Sequence, residues 1–340
     1  MPQIWYFADY TATLPLRRKI KKNNRAKKIY VMKKLALAIV AILTLGNAFA
    51  QTGQSGASNV RTIKSPRFVR PLIEKWLEEY SKTKPDVEIR LSQGAASTKG
   101  ADLNVTLFTG HGPSAEAKHD VIYFGKTAIL PITAEGSEAS RLLRGKSLNS
   151  KKVKQLFFTD DEADEESRRS KAFEQITIYS GSNSTSLTFS FAKNFGEEAS
   201  DIRGKRISGD DQFLNVAVSK DPLGVSFNAI SNIFDLKNRQ VKAGLEIVGL
   251  DLKRDIAAAF DGRATLDDIL YALESNRPQE VAVETVGISF DADDEAVSDF
   301  VKWVLENGVR YNHEYGILNL GAKEANAQVA KTQDVLTAHK

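Results

Sequence analysis

"NVRTIKSPRFVRPLIEKWLEEYSKTKPDVEIRLSQG", residues 59–94, changes its hydrophobic period twice. NVRTIKS reads as a short strand. From Pro66 onward, Phe68, Leu72, Trp76 and Tyr80 recur every four residues, which is the spacing of one helix face. Val87, Ile89 and Leu91 then alternate with polar residues and stop at Gly94, the pattern of a half-buried strand. Strand, helix, strand within this length is a βαβ unit. The helix supplies the crossover that two parallel strands need, so the stretch predicts a parallel sheet.

The alternation continues along the chain. ADLNVTLF (101–108), ITIYS (176–180), LEIVGLDL (245–252) and VAVETVGISF (281–290) read as strands. VIYFGKTAILPITA (121–134) is apolar enough for a buried strand, with Pro131 expected to interrupt it. LNSKKVKQLFF (148–158) is a short helix with Val153, Leu156 and Phe157 on one side. GSNSTSLTFSFAKNFG (181–196) is a run of hydroxyls opening into a helix whose Leu187, Phe191 and Phe195 share a face, with Gly196 placed as its C-terminal cap. DQFLNVAVSKDPLGVSF (211–227) gives a helix, a turn at Asp221-Pro222 and a strand. DEAVSDFVKWVLENG is a last helix, followed by a tail, and Trp303 and Tyr311 read as core there. The charge run DDEADEESRRSKAFE (160–174) reads as a solvated loop. Strands and helices alternating throughout define an α/β protein.

The first 50 residues stand apart. Met32-Lys33-Lys34, the apolar LALAIVAILTL (35–45) and Ala48-Phe49-Ala50 have the three parts of a secretory signal peptide, with cleavage expected after Ala50. The apolar run of 11 residues is short of the ~20 that span a bilayer. Residues 1–31 read as either a long n-region or an upstream start. Residues 1–50 hold ten of the chain's 47 Lys/Arg and one of its 43 Asp/Glu, leaving 37 basic against 42 acidic side chains, a net of −5. The pI of about 8.9 therefore belongs to the precursor, and the basic balance that a nucleic-acid surface requires is lost. The chain has no cysteine, which excludes disulfides, thiol-ligated metals and a lipid-bearing cysteine. Its four histidines show no ligand spacing, and His111, His119 and His313 read as surface or structural. GxSxG, HExxH, GxGxxG and Walker-type loops are absent, so no enzyme activity and no cofactor are expected.

In this order the segments resemble the phosphate-type solute-binding proteins of ABC transporters, in the type II periplasmic binding protein superfamily. The likeness rests on IKSPRFVRPLIEKWLEEYSKTKPDVEIRL, on VIYFGKTAILP followed by LNSKKVKQLFF, on ITIYSGSNSTSLTFSFAKNFG, and on DFVKWVLENGVRYNHEYGILNL. It covers most of 59–330. The resemblance implies two α/β lobes joined by two crossover strands, lobe 1 from 59–125 plus 250–330 and lobe 2 from 126–249. A small oxyanion such as phosphate is expected between them, bound by a monomer and delivered to permease subunits from the periplasm or outside the cell.

The resemblance also implies site residues. Ser184 and Thr185 fall on the Ser-x-Thr part of the family's loop, with Ser182 beside them. Ser65 occupies the place of the family's first hydroxyl. Gly94, Ser97 and Thr98 stand in its glycine-rich loop. Backbone N–H groups and hydroxyls at such strand-to-helix junctions suit an anion, although each loop also reads as ordinary capping or turn chemistry. Two departures matter. Tyr179, Ser180 and Gly181 stand where the family has its anion-clamping arginine, and no carboxylate occurs near Thr106 or Leu107, where the family has an acceptor for a protonated oxyanion. Lys64 and Arg67 flank Ser65 and stand where they could supply the missing cation, but surface solvation is the expected state of each. Asp102 is expected to be structural. A transport-inactive relative, acting as a binding, adhesion or sensor subunit, is the alternative reading.

Overall fold

The computed structural model describes residues 60–92, 102–107, 120–159, 169–183, 186–260 and 264–338. The first βαβ unit is β1 (Val60–Lys64), α1 (Arg70–Thr83) and β2 (Glu88–Leu91), followed by β3 (Leu103–Leu107) and the long β4 (Asp120–Ala134). Next come α2 (Glu138–Leu143), α3 (Ser150–Phe157), α4 (Lys171–Glu174), β5 (Thr177–Gly181), α5 (Thr188–Asn194), β6 (Lys205–Ile207) and α6 (Gln212–Lys220). β7 (Gly224–Ala229), α7 (Ile230–Ile233), β8 (Leu245–Ile247), α8 (Arg254–Ala257) and α9 (Leu266–Ser275) lead to β9 (Ala282–Phe290), α10 (Glu295–Glu306) and α11 (Ala322–Ala338).

One nine-stranded mixed sheet runs β2-β1-β3-β9-β4-β7-β5-β6, with β8 also on β4. β1, β2 and β3 are mutually parallel, as are β5, β6 and β7. Between these two groups β4 and β9 pair antiparallel from Asp120–Phe290 to Ile129–Ala282. Each crosses from one group to the other: β9 pairs with β3 through Val286–Phe290, and β4 pairs with β7 through Ile129–Thr133. Asn59–Lys340 hold together as one compact unit.

Side chains of β4 alternate between two cores, as the pleat requires. Ile129 joins Trp76, Phe124, Phe157, Phe191, Phe227, Phe290 and Phe300 on one face, while Leu130 and Ile132 join Phe234, Ile269 and Leu270 on the other. Phe191 stacks on Phe227 at 3.9 Å between centroids and meets Phe157 edge-on at 4.9 Å, an aromatic knot that fixes α5 on the sheet. Trp76 Nε1 donates to the Gly308 carbonyl at 2.8 Å, and a Cβ on Gly308 would stand 2.9 Å from that nitrogen.

Four expectations are corrected. Pro131 does not interrupt its strand. It lies where the outer edge of β4 passes from its last β9 pair at Ile129 to its first β8 pair at Ile132, so no ladder bond there needs its missing N–H. The helix placed from Pro66 begins at Arg70, with Pro71 in its first turn and Pro66–Val69 forming turns before it. The end of the charge run is a short helix, α4, capped by Ser170. The tail is the 17-residue α11, which grips β4: Gln328 Oε1 accepts from Tyr123 N at 2.9 Å beside a bulge in β4, and Lys126 pairs with Glu324 at 2.6 Å. Among the described residues no helix is long and apolar enough to cross a membrane.

Candidate functional site

Strand register decides where a site can form. β3 ends at Leu107 opposite Val286, and β7 ends at Ala229 opposite Ile129, whose β9 partner is Ala282. The carboxyl ends of the two parallel groups therefore face each other over the middle of β9. In open α/β sheets ligands bind outside carboxyl ends of strands, where the topology reverses.

On one side lies the turn after β1. Lys64 is buried, with 8 % of its surface exposed, which corrects the expectation of a solvated cation. Arg67 is exposed as expected. The Ser65 hydroxyl donates to the Pro66 carbonyl at 2.9 Å and caps no helix. Asp102 has its structural role: Oδ2 accepts from Thr62 N at 2.6 Å and Thr62 Oγ1 at 3.0 Å, tying β1 to the start of β3.

On the other side lies the hydroxyl loop. Ser182 is exposed, with its N–H on the Ile207 carbonyl at 3.0 Å and its hydroxyl on the same oxygen at 3.3 Å. The Thr188 hydroxyl accepts from Gly181 N and donates to Gly181 O, both at 3.0 Å. Asp211 enters from the turn before α6. Its Oδ1 accepts from Ser186 Oγ at 2.6 Å and its Oδ2 from Leu187 N at 2.9 Å. Asp211 keeps some surface as a residue, but its carboxylate is enclosed by protein. Burial pushes its pKa up to about 6, against the pull of the Leu187 and Ser186 donors and with a smaller push from the Asp210 charge. A Cβ on Gly181 would overlap Ser186 Oγ and stand 2.6 Å from Asp211 Oδ1, so only glycine fits there.

The two sides meet through that same turn. Arg67 Nε lies 3.9 Å from Asp210 Oδ2 and Asn183 Nδ2 donates to Gly209 O at 2.7 Å, while apart from the turn Ser231 Oγ on α7 donates to Phe68 O at 2.8 Å. A ladder of amides holds the turn: Asn228 Nδ2 donates to Asp211 O at 2.7 Å and Asn215 Oδ1 at 2.8 Å, and Asn232 Nδ2 donates to Asn228 Oδ1 at 2.9 Å.

Of the residues that the sequence nominates, Ser65 and Ser182 thus stand on loops that converge on residues 209–212. Ser184, Thr185, Gly94, Ser97 and Thr98 lie outside the described residues, as do His111 and His119. His313 meets Glu274 at 2.7 Å and the Tyr271 ring edge-on, a structural setting. Among the described residues, no cluster of His, Cys, Asp or Glu is arranged to hold a metal ion. Sequence reading missed Asp211 and the burial of Lys64. The paired Asp210-Asp211 heading a helix was visible as charge, but nothing in the spacing placed it on a loop 25 residues earlier.

No protein-family model matches the chain, and no curated protein sequence matches it. Solved structures do. A protein from Clostridium perfringens described as a phosphate ABC transporter substrate-binding protein with bound phosphate is 15 % identical, with a TM-score of 0.53, over 77 % of this chain and 100 % of its own. An ABC-type phosphate transport receptor from Vibrio cholerae is 16 % identical over 77 % of this chain and all of its own, with a TM-score of 0.46. The CcmR regulatory domain of Synechocystis in complex with 2-PG is 13 % identical over 74 % and 96 %, with a TM-score of 0.45. The chain has a periplasmic-binding-protein-like α/β fold.

Proposed function

We propose that the protein is an exported solute-binding protein that captures phosphate or a related oxyanion between two lobes, 59–125 plus 250–330 and 126–249, for an ABC transporter. The observation that carries this reading is the meeting of strand carboxyl ends over β9, with a buried cation, Lys64, on one side and the hydroxyl loop on the other. Lys64 takes the part of the missing arginine as a point charge without a bidentate fork. Ser184 and Thr185 are the ligand's hydroxyl donors, assisted by Ser182, Ser65 and the 94–98 loop. Ser186 and Leu187 N are already engaged by Asp211. The work is binding and closure, with permease subunits as partners and export directed by residues 32–50. The resemblance in fold to the phosphate-bound Clostridium perfringens protein supports the ligand class.

The loop also supports a second reading. Its arginine is absent and two of its donors are held by the chain's own carboxylate, features of a relative that has kept the fold and changed its cargo. Calorimetric titration with phosphate, sulfate, molybdate and phosphonates separates the two. Heat with an oxyanion, weakened in Ser184→Ala/Thr185→Ala, supports capture; silence from folded protein supports the relative.

A further inference from the structure

Where α5 packs on the centre of the sheet, three buried polar groups come together. Thr127 on β4 and Glu284 on β9 are directly opposite in the ladder, which sets their Cβ atoms about 5 Å apart. Their face is that of Ile129, Ala282 and Val286, against which α5 packs. From α5 comes Ser190. Thr127 is wholly buried, and Ser190 and Glu284 expose 5 % and 7 % of their surface. Among the described residues Thr127 Oγ1 has no hydrogen-bond partner, and Ser190 Oγ has none in good geometry although it lies close to the Glu284 carboxylate.

Glu284 Oε1 accepts from Thr285 N at 2.8 Å. Burial raises its pKa, while the Thr285 N–H, the neighbouring Ser190 hydroxyl and the charges of Lys193 on α5 and Arg277 before β9 partly offset that rise. Among the described residues Tyr123 on β4 is a further titratable group close to it. Ser190 stands beside the carboxylate without an aligned bond. A buried hydroxyl without a partner, beside another that is poorly aligned with its acceptor, is costly, and proteins relieve that cost with internal waters that make about three hydrogen bonds.

We propose that Thr127, Ser190 and Glu284 hold one internal water that ties α5 to both crossover strands. The water receives the two hydroxyl protons or shares them with the carboxylate, so all three groups are satisfied by one molecule. Because α5 begins at Thr188, directly after the hydroxyl loop, the bridge fixes that loop to the strands that join the two halves of the sheet. The loop then moves with the crossover strands, and does so whatever the cleft binds.

The test is a double-mutant cycle on the full chain, read by melting temperature, together with a crystal structure that resolves ordered water. Thr127→Val and Ser190→Ala should each lower the melting temperature by a few degrees. The double variant should lose clearly less than their sum, because the first change already releases the water. Thr127→Ser keeps the hydroxyl and should preserve the coupling, even if Thr127→Val fails to fold. Density should lie within hydrogen-bond distance of all three groups. A melting temperature raised by Thr127→Val, additive losses, or no density at this position would overturn the proposal. So would a preference for sodium over choline chloride that Ser190→Ala abolishes, since that assigns a cation.

Discussion

The two loops that converge on residues 209–212 handle their polar groups in opposite ways. After β5, Ser186, Leu187 N and Thr188 are paired with one another, with Gly181 or with the Asp211 carboxylate. After β1, Lys64 lies buried, and among the described residues no side-chain hydrogen bond or ion pair engages its ammonium. The first loop already has an anion, brought to it by the turn before α6. The second holds a lysine whose side chain is largely covered and which lacks any such partner among the described residues. A hydroxyl-rich loop is thus weaker evidence of a ligand than a buried cation.

That contrast can be broken, beginning with its largest contribution. Asp211→Ala should cost about 2–6 kcal/mol in denaturant unfolding, since two donors lose the carboxylate that accepts from them and each orphaned donor costs roughly 1–3 kcal/mol. Asp211 also sets a pH dependence. Its native pKa of about 6 lies above the ordinary 3.8, so the folded state binds this proton more tightly than the unfolded one. Its contribution to stability rises as pH falls from above 6 towards 4, by the order of 2–3 kcal/mol. Asp211→Asn should remove that component from the stability–pH curve; an unchanged curve would mean that the carboxylate is not enclosed. Gly181→Ala should cost about 1–3 kcal/mol by overpacking against Ser186 and Asp211.

Smaller effects sharpen the other side. Lys64→Met preserves the apolar stem and should weaken phosphate binding about tenfold, near 1.4 kcal/mol, with little change in melting temperature. Arg67→Ala should cost under about 1 kcal/mol in stability, because its pairing with Asp210 is long and the arginine exposed.

The fold was legible because its signals are local and periodic. Trp76 and Tyr80 on α1, the 281–290 strand and Phe191 with Phe195 around α5 each announce a buried face at the right spacing. What sequence could not show was set by tertiary context. Pro131 is tolerated by a gap between two neighbouring strands. The tail becomes a helix because β4 offers Tyr123 N and Lys126 to grip. The site was legible only as a pair of loops. Asp211 reaches Ser186 across 25 residues of chain, a distance at which no periodicity carries information.

The most direct test is calorimetric titration of phosphate into protein unfolded and refolded to strip bound ligand, comparing the unaltered chain with Lys64→Met. Micromolar or tighter binding that Lys64→Met weakens about tenfold is the predicted result. No heat from protein shown to be folded, or full affinity without Lys64, would contradict the claim that a buried lysine replaces the arginine of an oxyanion site.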